Sequence, residues 1–156
     1  MKTLACTIII LVIQIPAFAN EPRWEIAFGW SSGWGISSTY LLNANGELTL
    51  ESRWPDPEFT CEANIEKKDA IEIEELRSSV PESYAPNTLT KFLDNCHDER
   101  EGYVTLKESG VRRSFSYSLG AQCRITEPPS WLILLYERLE MLKPLVAECV
   151  EVHQKK

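Results

Sequence analysis

The sequence of 156 residues lacks most of the patterns that mark enzymes. It contains only two histidines, His97 and His153. It has no HExxH, GxSxG, Walker A or GxGxxG run, the motifs typical of zinc proteases, serine hydrolases and nucleotide-binding domains. A metal site on His97, Asp98 and Glu99 would need a strained turn and further ligands from elsewhere in the chain. We therefore expect no catalytic residue, no metal site and no cofactor.

Acidic residues are abundant, but they are not placed for acid–base catalysis. Such catalysis needs two carboxyl groups held across a cleft with separated pKa values. One acidic group, within residues 72–75, lies on the polar side of a predicted helix, and another, within residues 98–101, lies in a predicted loop. Both patterns are typical of a solvated surface, so we predict that the protein is not an enzyme.

Long apolar runs are absent beyond the first residues of the chain. Lys2 precedes an almost unbroken apolar stretch at residues 4–15, and a small-residue motif ends at Ala19. This pattern predicts a cleavable secretory signal peptide at residues 1–19, because the stretch is shorter than the ~20 apolar residues that a membrane span needs. We expect cleavage after Ala19, a single domain over residues 20–156, and a periplasmic or secreted product without a membrane segment.

Basic residues are in deficit. The chain carries 16 lysines and arginines against 23 aspartates and glutamates, and loss of Lys2 with the leader changes the formal net charge from −7 to −8. A polyanion is not attracted to nucleic acid or to anionic membranes, so neither is an expected partner. The charge is compatible with a basic protein partner.

Alternation of apolar and polar residues predicts most of the strands. Residues 24–30 alternate with a period of two, with Trp30 on the core face, and residues 59–65 do the same. Between them, residues 36–54 predict a hairpin. Its Asn-Gly turn at residues 45–46 favours a two-residue type I′ loop.

The expected turns set the pairing within each hairpin. A two-residue loop at residues 45–46 places Leu41 opposite Leu50. A second hairpin is predicted around residues 109–110, where a two-residue loop places Val104 opposite Phe115.

Cysteine is scarce, and none of the spacings is the CxxC of zinc ribbons or thioredoxin-like sites. Four cysteines follow the leader: Cys61, Cys96, Cys123 and Cys149. An even number in an exported chain predicts two disulfides, with three possible pairings. If the pairing of the second hairpin is extended outward from its turn, Cys96 falls opposite Cys123, which leaves Cys61 to pair with Cys149. A three-residue loop would shift this register and weaken the preference.

Helix signals separate the strands. Asp69, with Glu72 three residues later, predicts a capped helix start, and residues 88–96 predict a short second helix. A last helix is predicted to open at Ser130 and to be split by Pro144. The resulting fold class is α+β: a single antiparallel sheet of four to five strands, two to three helices on one face, and stabilising disulfides.

One segment has the composition of a binding loop: Ser32, Gly33, Trp34, Gly35 and Ile36. Tryptophan is enriched at binding hot spots because it buries a large area with few rotatable bonds. The small residues beside it permit close approach of another backbone. The alternative is that the tryptophan continues the core face of the sheet.

Residues 32–40, followed by the Asn-Gly turn, resemble the glycine-rich opening of emfourin-type proteins, which inhibit thermolysin-like metalloproteases. An acidic helix near residues 71–80, a strand pair and a leucine-rich last helix follow in a similar order. Emfourins typically read Ser-Gly-Gly-Phe-x-Gly where this chain has the shorter Gly33-Trp34-Gly35, and the leader and four cysteines are additions. The resemblance implies an α+β fold and a non-catalytic, protein-binding role in which residues 32–36 occlude a protease cleft.

We therefore expect an exported, non-catalytic binding protein, with a secreted protease as its partner. One alternative is a periplasmic interaction module or an inhibitor of another basic secreted enzyme, such as lysozyme. A small hydrolase is a third hypothesis.

Overall fold

The computed structural model describes residues 23–31, 37–53, 59–92, 101–118 and 126–154. The strands are β1 (Trp24–Ser31), β2 (Ser37–Asn43), β3 (Glu47–Arg53), β4 (Phe59–Asn64), β5 (Thr88–Lys91), β6 (Glu101–Glu108) and β7 (Val111–Ser118). The helices are α1 (Lys67–Ser78), α2 (Ser130–Glu140) and α3 (Ala147–Gln154), with a 3-10 helix at Lys143–Val146. Within the described ranges, no helix has the length and apolar character needed to cross a membrane.

All seven strands join one sheet in the order β4-β3-β2-β1-β6-β7-β5. Each neighbouring pair is antiparallel except β5 and β7, which are parallel. The predicted α+β class is confirmed, but the prediction of four to five strands, all antiparallel, is wrong. The sheet is larger because β1 pairs on both sides, so that the two predicted hairpins extend one continuous sheet.

Residues 88–91 form strand β5 and not the predicted helix. The last residues of that predicted helix, 93–96, lie outside the described ranges. The connection through α1 carries the chain from β4, at one edge of the sheet, to the opposite edge. There Leu89 pairs with Ser114 of β7, whose edge offers unpaired backbone groups. Tertiary pairing, together with the β-branched Thr88 and Thr90, overrides the helical spacing of the apolar residues.

The alternation in β1 is confirmed, since Trp24, Ile26 and Phe28 are buried. Trp30, predicted to lie on the same core face, is only partly buried. The helices cover this side of the sheet, and their buried residues belong to the same apolar cluster: Ile73, Leu132, Leu135, Leu139 and Val146.

The β2–β3 hairpin has a register one residue away from the predicted one. Leu42 pairs with Leu48, so the loop has three residues, 44–46. Leu42 therefore lies in the core with Leu48 and Leu50, while Leu41, which was predicted to pair with Leu50, lies on the opposite side of the sheet.

The side chain of Asn43 explains the longer loop. Its Oδ1 accepts hydrogen bonds from the backbone N–H groups of Asn45 (2.9 Å) and Glu47 (3.2 Å). Gly46 takes the left-handed conformation, with φ of +81°. An asparagine that organises the turn in this way, followed by a left-handed glycine, stabilises a three-residue loop in preference to the type I′ turn.

The β6–β7 hairpin matches its prediction. Ser109 and Gly110 both have positive φ, +48° and +81°, as a type I′ turn requires. Val104 pairs with Phe115, and both side chains are buried.

The first helix begins at Lys67, two residues before its predicted start, and Asp69 does not cap it. The carboxylate of Asp69 instead accepts a hydrogen bond of 2.6 Å from Arg138 of α2. Arg138 also forms an ion pair with Glu72 at 2.5 Å. The carboxylates of Asp69 and Glu72, whose spacing predicted a capped helix start, therefore join α1 to α2.

The C-terminal region is divided at Pro144, as predicted. α2 begins at Ser130 and ends at Glu140, the 3-10 helix contains Pro144, and α3 begins at Ala147. The N-cap position of α2 is Pro129, one residue before the predicted cap at Ser130. The split arises because proline cannot donate the backbone hydrogen bond that a continuous helix needs.

One predicted disulfide is present between Cys61 and Cys149, with Cα atoms 5.8 Å apart. Cys96 and Cys123, the other predicted pair, lie outside the described residues. The bond joins edge strand β4 to α3. This junction also contains the stacked rings of Phe59 and His153, whose centroids are 4.8 Å apart.

We expect the disulfide to supply a large part of the stability. It links residues 88 positions apart, and the chain-entropy model gives about 4.6 kcal/mol for a loop of that length, near the upper end of the roughly 2–4 kcal/mol that disulfides typically contribute. The C61A/C149A variant should therefore lose about 4 kcal/mol of unfolding free energy in urea titrations. Glu148→Ala, at an exposed position on the same helix, is the control and should unfold like the wild type. An unchanged urea midpoint for the double variant would contradict the prediction.

Candidate functional site

The predicted binding segment lies outside the residues that the structure describes: Ser32, Gly33, Trp34, Gly35 and Ile36. The residues that anchor it are described. Ser31 ends β1, Ser37 begins β2, and the two pair with each other. Ser31 also pairs with Glu101 of β6, and Ser37 with Arg53 of β3, so each anchor is held from both sides. We call the end of the sheet that contains Ser31 and Ser37 the anchor end.

A tyrosine ties three strands together beside these anchors, on the side of the sheet opposite the helices, which we call the helix-free face. Tyr103 of β6 pairs with Gly29 of β1. Its side chain passes over β1, and a hydrogen bond of 2.6 Å joins its hydroxyl to that of Thr39 on β2. The same hydroxyl donates to the backbone carbonyl of Ser38 at 3.3 Å. Tyr103 thus links β6 to β2 across the strand between them.

Gly29 makes this crossing possible. A Cβ atom at this position would lie 2.0 Å from the carbonyl oxygen of Ser38 and 3.2 Å from the hydroxyl of Tyr103. The backbone φ of +154° is also one that other residues rarely adopt. The missing side chain therefore allows β2 and the tyrosine to approach β1 closely.

The opposite side of the anchor end, beneath the helices, is aromatic. The ring of Tyr40 on β2 stacks on Phe28 of β1, with centroids 5.2 Å apart. The Lys143 ammonium lies 5.0 Å from the centroid of the Tyr40 ring and forms an ion pair with Glu140. These contacts fix β2 against the C-terminal helices as well as against β1.

Two further tyrosines adjoin Glu140. Tyr117 of β7 and Tyr136 of α2 meet edge to face, with ring centroids 5.1 Å apart. Burial raises the pKa of both phenols well above the usual range, and the neighbouring Glu140 adds to the rise at Tyr136. Burial also raises the pKa of Tyr40. At neutral pH the three phenols stay protonated and uncharged, so they act as packing groups and not as bases.

A shallow groove of about 500 Å³ lies elsewhere on the helix-free face, beside β5. Leu89 and Tyr103 form parts of its walls. Ser114 lies between two partners: its hydroxyl is 3.0 Å from that of Thr105, and it accepts a 3.2 Å hydrogen bond from Nε of Arg112. The lining residues that the structure describes include no carboxylate or imidazole to activate these hydroxyls.

Metal-ligating side chains are not gathered in the described ranges. No group of three or more histidine, cysteine, aspartate or glutamate residues there is placed to hold a metal ion. His153 stacks on Phe59, and His97 lies outside these ranges.

The supporting residues were not part of the predicted site. Sequence patterns indicated the segment at residues 32–36 but not Gly29, Tyr103 or Thr39. One signal was available: an isolated glycine inside an alternating strand indicates that another group approaches the backbone closely. The identity of that group depends on strand order, which the alternation does not specify.

No protein-family model matches the chain, and no curated protein matches it. In the described residues, Ser31 and Ser37, on either side of residues 32–36, are held at one end of the sheet above a layer of neutral aromatic side chains.

We expect Gly29→Ala to destabilise the protein severely. The added methyl group would overlap a backbone carbonyl that cannot move without breaking the β1–β2 pairing, which should cost at least about 3 kcal/mol or prevent folding. Gly110→Ala is a matched control, because Gly110 also has positive φ but no atom lies within 4 Å of the added Cβ. It should cost only about 1 kcal/mol. Urea unfolding measures both, and equal losses would refute the steric explanation.

The buried tyrosines predict a loss of stability in alkaline solution. Their folded-state pKa values lie above the 10.0 of an ordinary tyrosine, so deprotonation favours the unfolded chain once the pH rises above about 10. The urea midpoint should be level between pH 7 and pH 9 and fall from pH 10 to pH 11. Tyr136→Phe should reduce this fall, whereas the control Tyr84→Phe should retain it. A midpoint independent of pH up to pH 11 would be inconsistent with this reasoning.

Proposed function

We propose that the protein is an exported, non-catalytic binding protein that inhibits a secreted protease through residues 32–36. The proposal rests on the pairing of the residues at the two ends of this segment. Its anchors Ser31 and Ser37 pair with each other and with the strands on either side. A segment with both ends fixed loses less conformational entropy on binding, which favours tight association.

The Tyr103 bridge strengthens this support. Its hydrogen bond to Thr39 lies two residues from Ser37, and its partner Gly29 lies two residues from Ser31. Strain applied to the segment by a partner would therefore be resisted by three strands together. A segment held at both ends in this way suits an inhibitor that must occupy a protease cleft.

The chemistry of the segment fits a protein partner. Trp34 supplies a large side chain of the type that dominates binding energy at interfaces. Gly33 and Gly35 leave space for the backbone of the partner. Steric occlusion needs no catalytic group, and the neutral tyrosines beneath the anchors act only as a support.

The Cys61–Cys149 disulfide favours an oxidising compartment, as expected for an exported protein. It also ties α3 to β4, which restrains the local opening on which proteolysis depends. Both properties would benefit a protein that works in the presence of proteases.

The acidic charge supports a second candidate, an inhibitor of a basic hydrolase such as lysozyme. The formal charge of −8 after loss of the leader would attract a cationic enzyme. Glu47 and Glu62 are exposed at diagonal positions on the neighbouring strands β3 and β4 and would form part of such a contact.

The experiment is an inhibition titration of a thermolysin-like protease with the oxidised protein. We expect near-stoichiometric inhibition in the wild type, and Trp34→Ala should weaken it at least tenfold, about 1.4 kcal/mol. The unfolding free energy of this variant should stay within about 0.5 kcal/mol of the wild-type value. Leu134→Ala, which truncates an exposed side chain on α2, is the control and should inhibit like the wild type.

Two outcomes would remove the proposal. If Trp34→Ala unfolds the protein, the tryptophan belongs to the core. If the protease is unaffected but lysozyme is inhibited in low salt and released as salt rises, the second candidate replaces the first, because screening weakens attraction between net charges.

A further inference from the structure

Strand β5 forms one edge of the sheet, and in the described ranges no strand pairs with its outer side. The backbone N–H of Phe92, directly after β5, donates to a backbone carbonyl of β7 at 2.9 Å. Residues along a strand direct their backbone groups alternately to its two sides, so Thr88 and Thr90 also face β7. The N–H and C=O groups of Leu89 and Lys91 therefore point away from the sheet, and no described loop or turn residue bonds to them.

Asn87 fixes the start of this edge. Its N–H donates to the carbonyl of Arg112 at 2.5 Å, and its Oδ1 accepts a hydrogen bond from the N–H of Arg112 at 3.2 Å. Its φ of +57° belongs to the turn before the strand, so the alternation of β5 begins after it. This reciprocal pair holds β5 against β7 without help from a partner, which lowers the ordering cost of binding.

The side chain of Arg112 lines the groove of about 500 Å³ beside β5. Its Nε donates to the hydroxyl of Ser114, which is 3.0 Å from that of Thr105. In the described ranges, no carboxylate forms an ion pair with this exposed guanidinium. An oriented guanidinium with unused N–H groups is a strong donor to a carboxylate.

The exposed side chains along this edge alternate in character. Leu89 is 52% exposed on the helix-free face, where it pairs with Ser114. One row towards the β6–β7 turn lies Arg112, beside Asn87. One row in the other direction lies Lys91, which is also exposed. An apolar position therefore lies between two cations, with ~7 Å from row to row.

We propose that β5 accepts an extended strand from an acidic partner protein, with an apolar residue beside Leu89 and a carboxylate two positions away on either side. The backbone of the added strand would pair with the outward N–H and C=O groups of Leu89 and Lys91. Arg112 lies two strand spacings, ~10 Å, from the added strand, a gap that the side chains of arginine and glutamate together can span. This surface is distinct from residues 32–36 and does not rest on their proposed role.

Charge favours such a partner over a second copy of the chain. Two β5 strands paired antiparallel about Leu89 would set Lys91 of each copy opposite Asn87 of the other, next to Arg112. Like charges at neighbouring positions in a sheet repel. Ser116, which pairs with Lys91 on β7, is buried, so the contact is confined to the edge and its groove and does not extend over the whole face.

The test is a titration of the isotope-labelled, oxidised protein with the end-capped peptide Thr-Glu-Thr-Val-Thr-Glu-Thr, followed by the amide shifts in nuclear magnetic resonance spectra. The amides of Leu89 and Lys91 should shift, with a dissociation constant of about 0.1–1 mM, because an edge of four residues offers few backbone hydrogen bonds. Absence of these shifts at about 5 mM peptide overturns the proposal.

The charge requirement is tested on both sides of the contact. Arg112→Glu should weaken binding of the peptide at least tenfold, and so should replacement of both peptide glutamates by lysine. Lys67→Glu, an equal change of charge at an exposed position on α1, is the control and should bind like the wild type. The dispersion of the amide signals shows whether each variant is folded. Binding that Arg112→Glu leaves unchanged in a folded protein contradicts the proposal.

Methylation of single backbone nitrogens in the peptide tests the strand addition without altering the protein. In an added strand, alternate N–H groups face β5 and the others face solvent. Methylation at the central valine and at a neighbouring threonine should therefore differ, with one peptide losing binding at least tenfold and the other retaining it. Equal effects of the two methyl groups would rule out a paired strand.

Discussion

The positions of the two hairpins in the sheet follow from the pairing of β1 along both of its edges. β2 and β6 pair with it along its length, so both hairpins take their position from this strand. Trp24, Ile26 and Phe28 direct its inner side into the core. A slip of one residue would bury Glu25 and expose the aromatic side chains, and the hydrophobic effect therefore specifies the register strongly.

Gly29 connects this constraint to the candidate site. The strand needs apolar residues on its inner side, but on its outer side it needs room for Tyr103 to reach Thr39. A single residue without a side chain meets that need, and the tyrosine then joins β6, β1 and β2 next to the anchors of residues 32–36. The proposed inhibitory segment would then be supported at both ends by the sheet.

The two sides of the sheet serve different purposes. On the inner side, the Arg138 ion pairs with Asp69 and Glu72 join the helices, and the Cys61–Cys149 bond ties the last helix to an edge strand. These stabilising contacts therefore lie on the side of the sheet that the helices cover. The outer side carries exposed charged side chains, among them Glu47, Lys107 and Arg112, and none of these belongs to the apolar core.

Local sequence patterns were enough to predict the alternation of β1, the β6–β7 turn and the division at Pro144, because each depends on residues close together in the chain. The β2–β3 register escaped prediction, since the Asn43 side chain stabilised a longer loop than the Asn-Gly pair indicated. Long-range contacts account for the parallel strand at residues 88–91, the hydrogen bond between Asp69 and Arg138, and the crossing of Gly29 by Tyr103. In each of these cases the partner lies far away in the chain, and local spacing carries no information about which distant group the fold brings into contact.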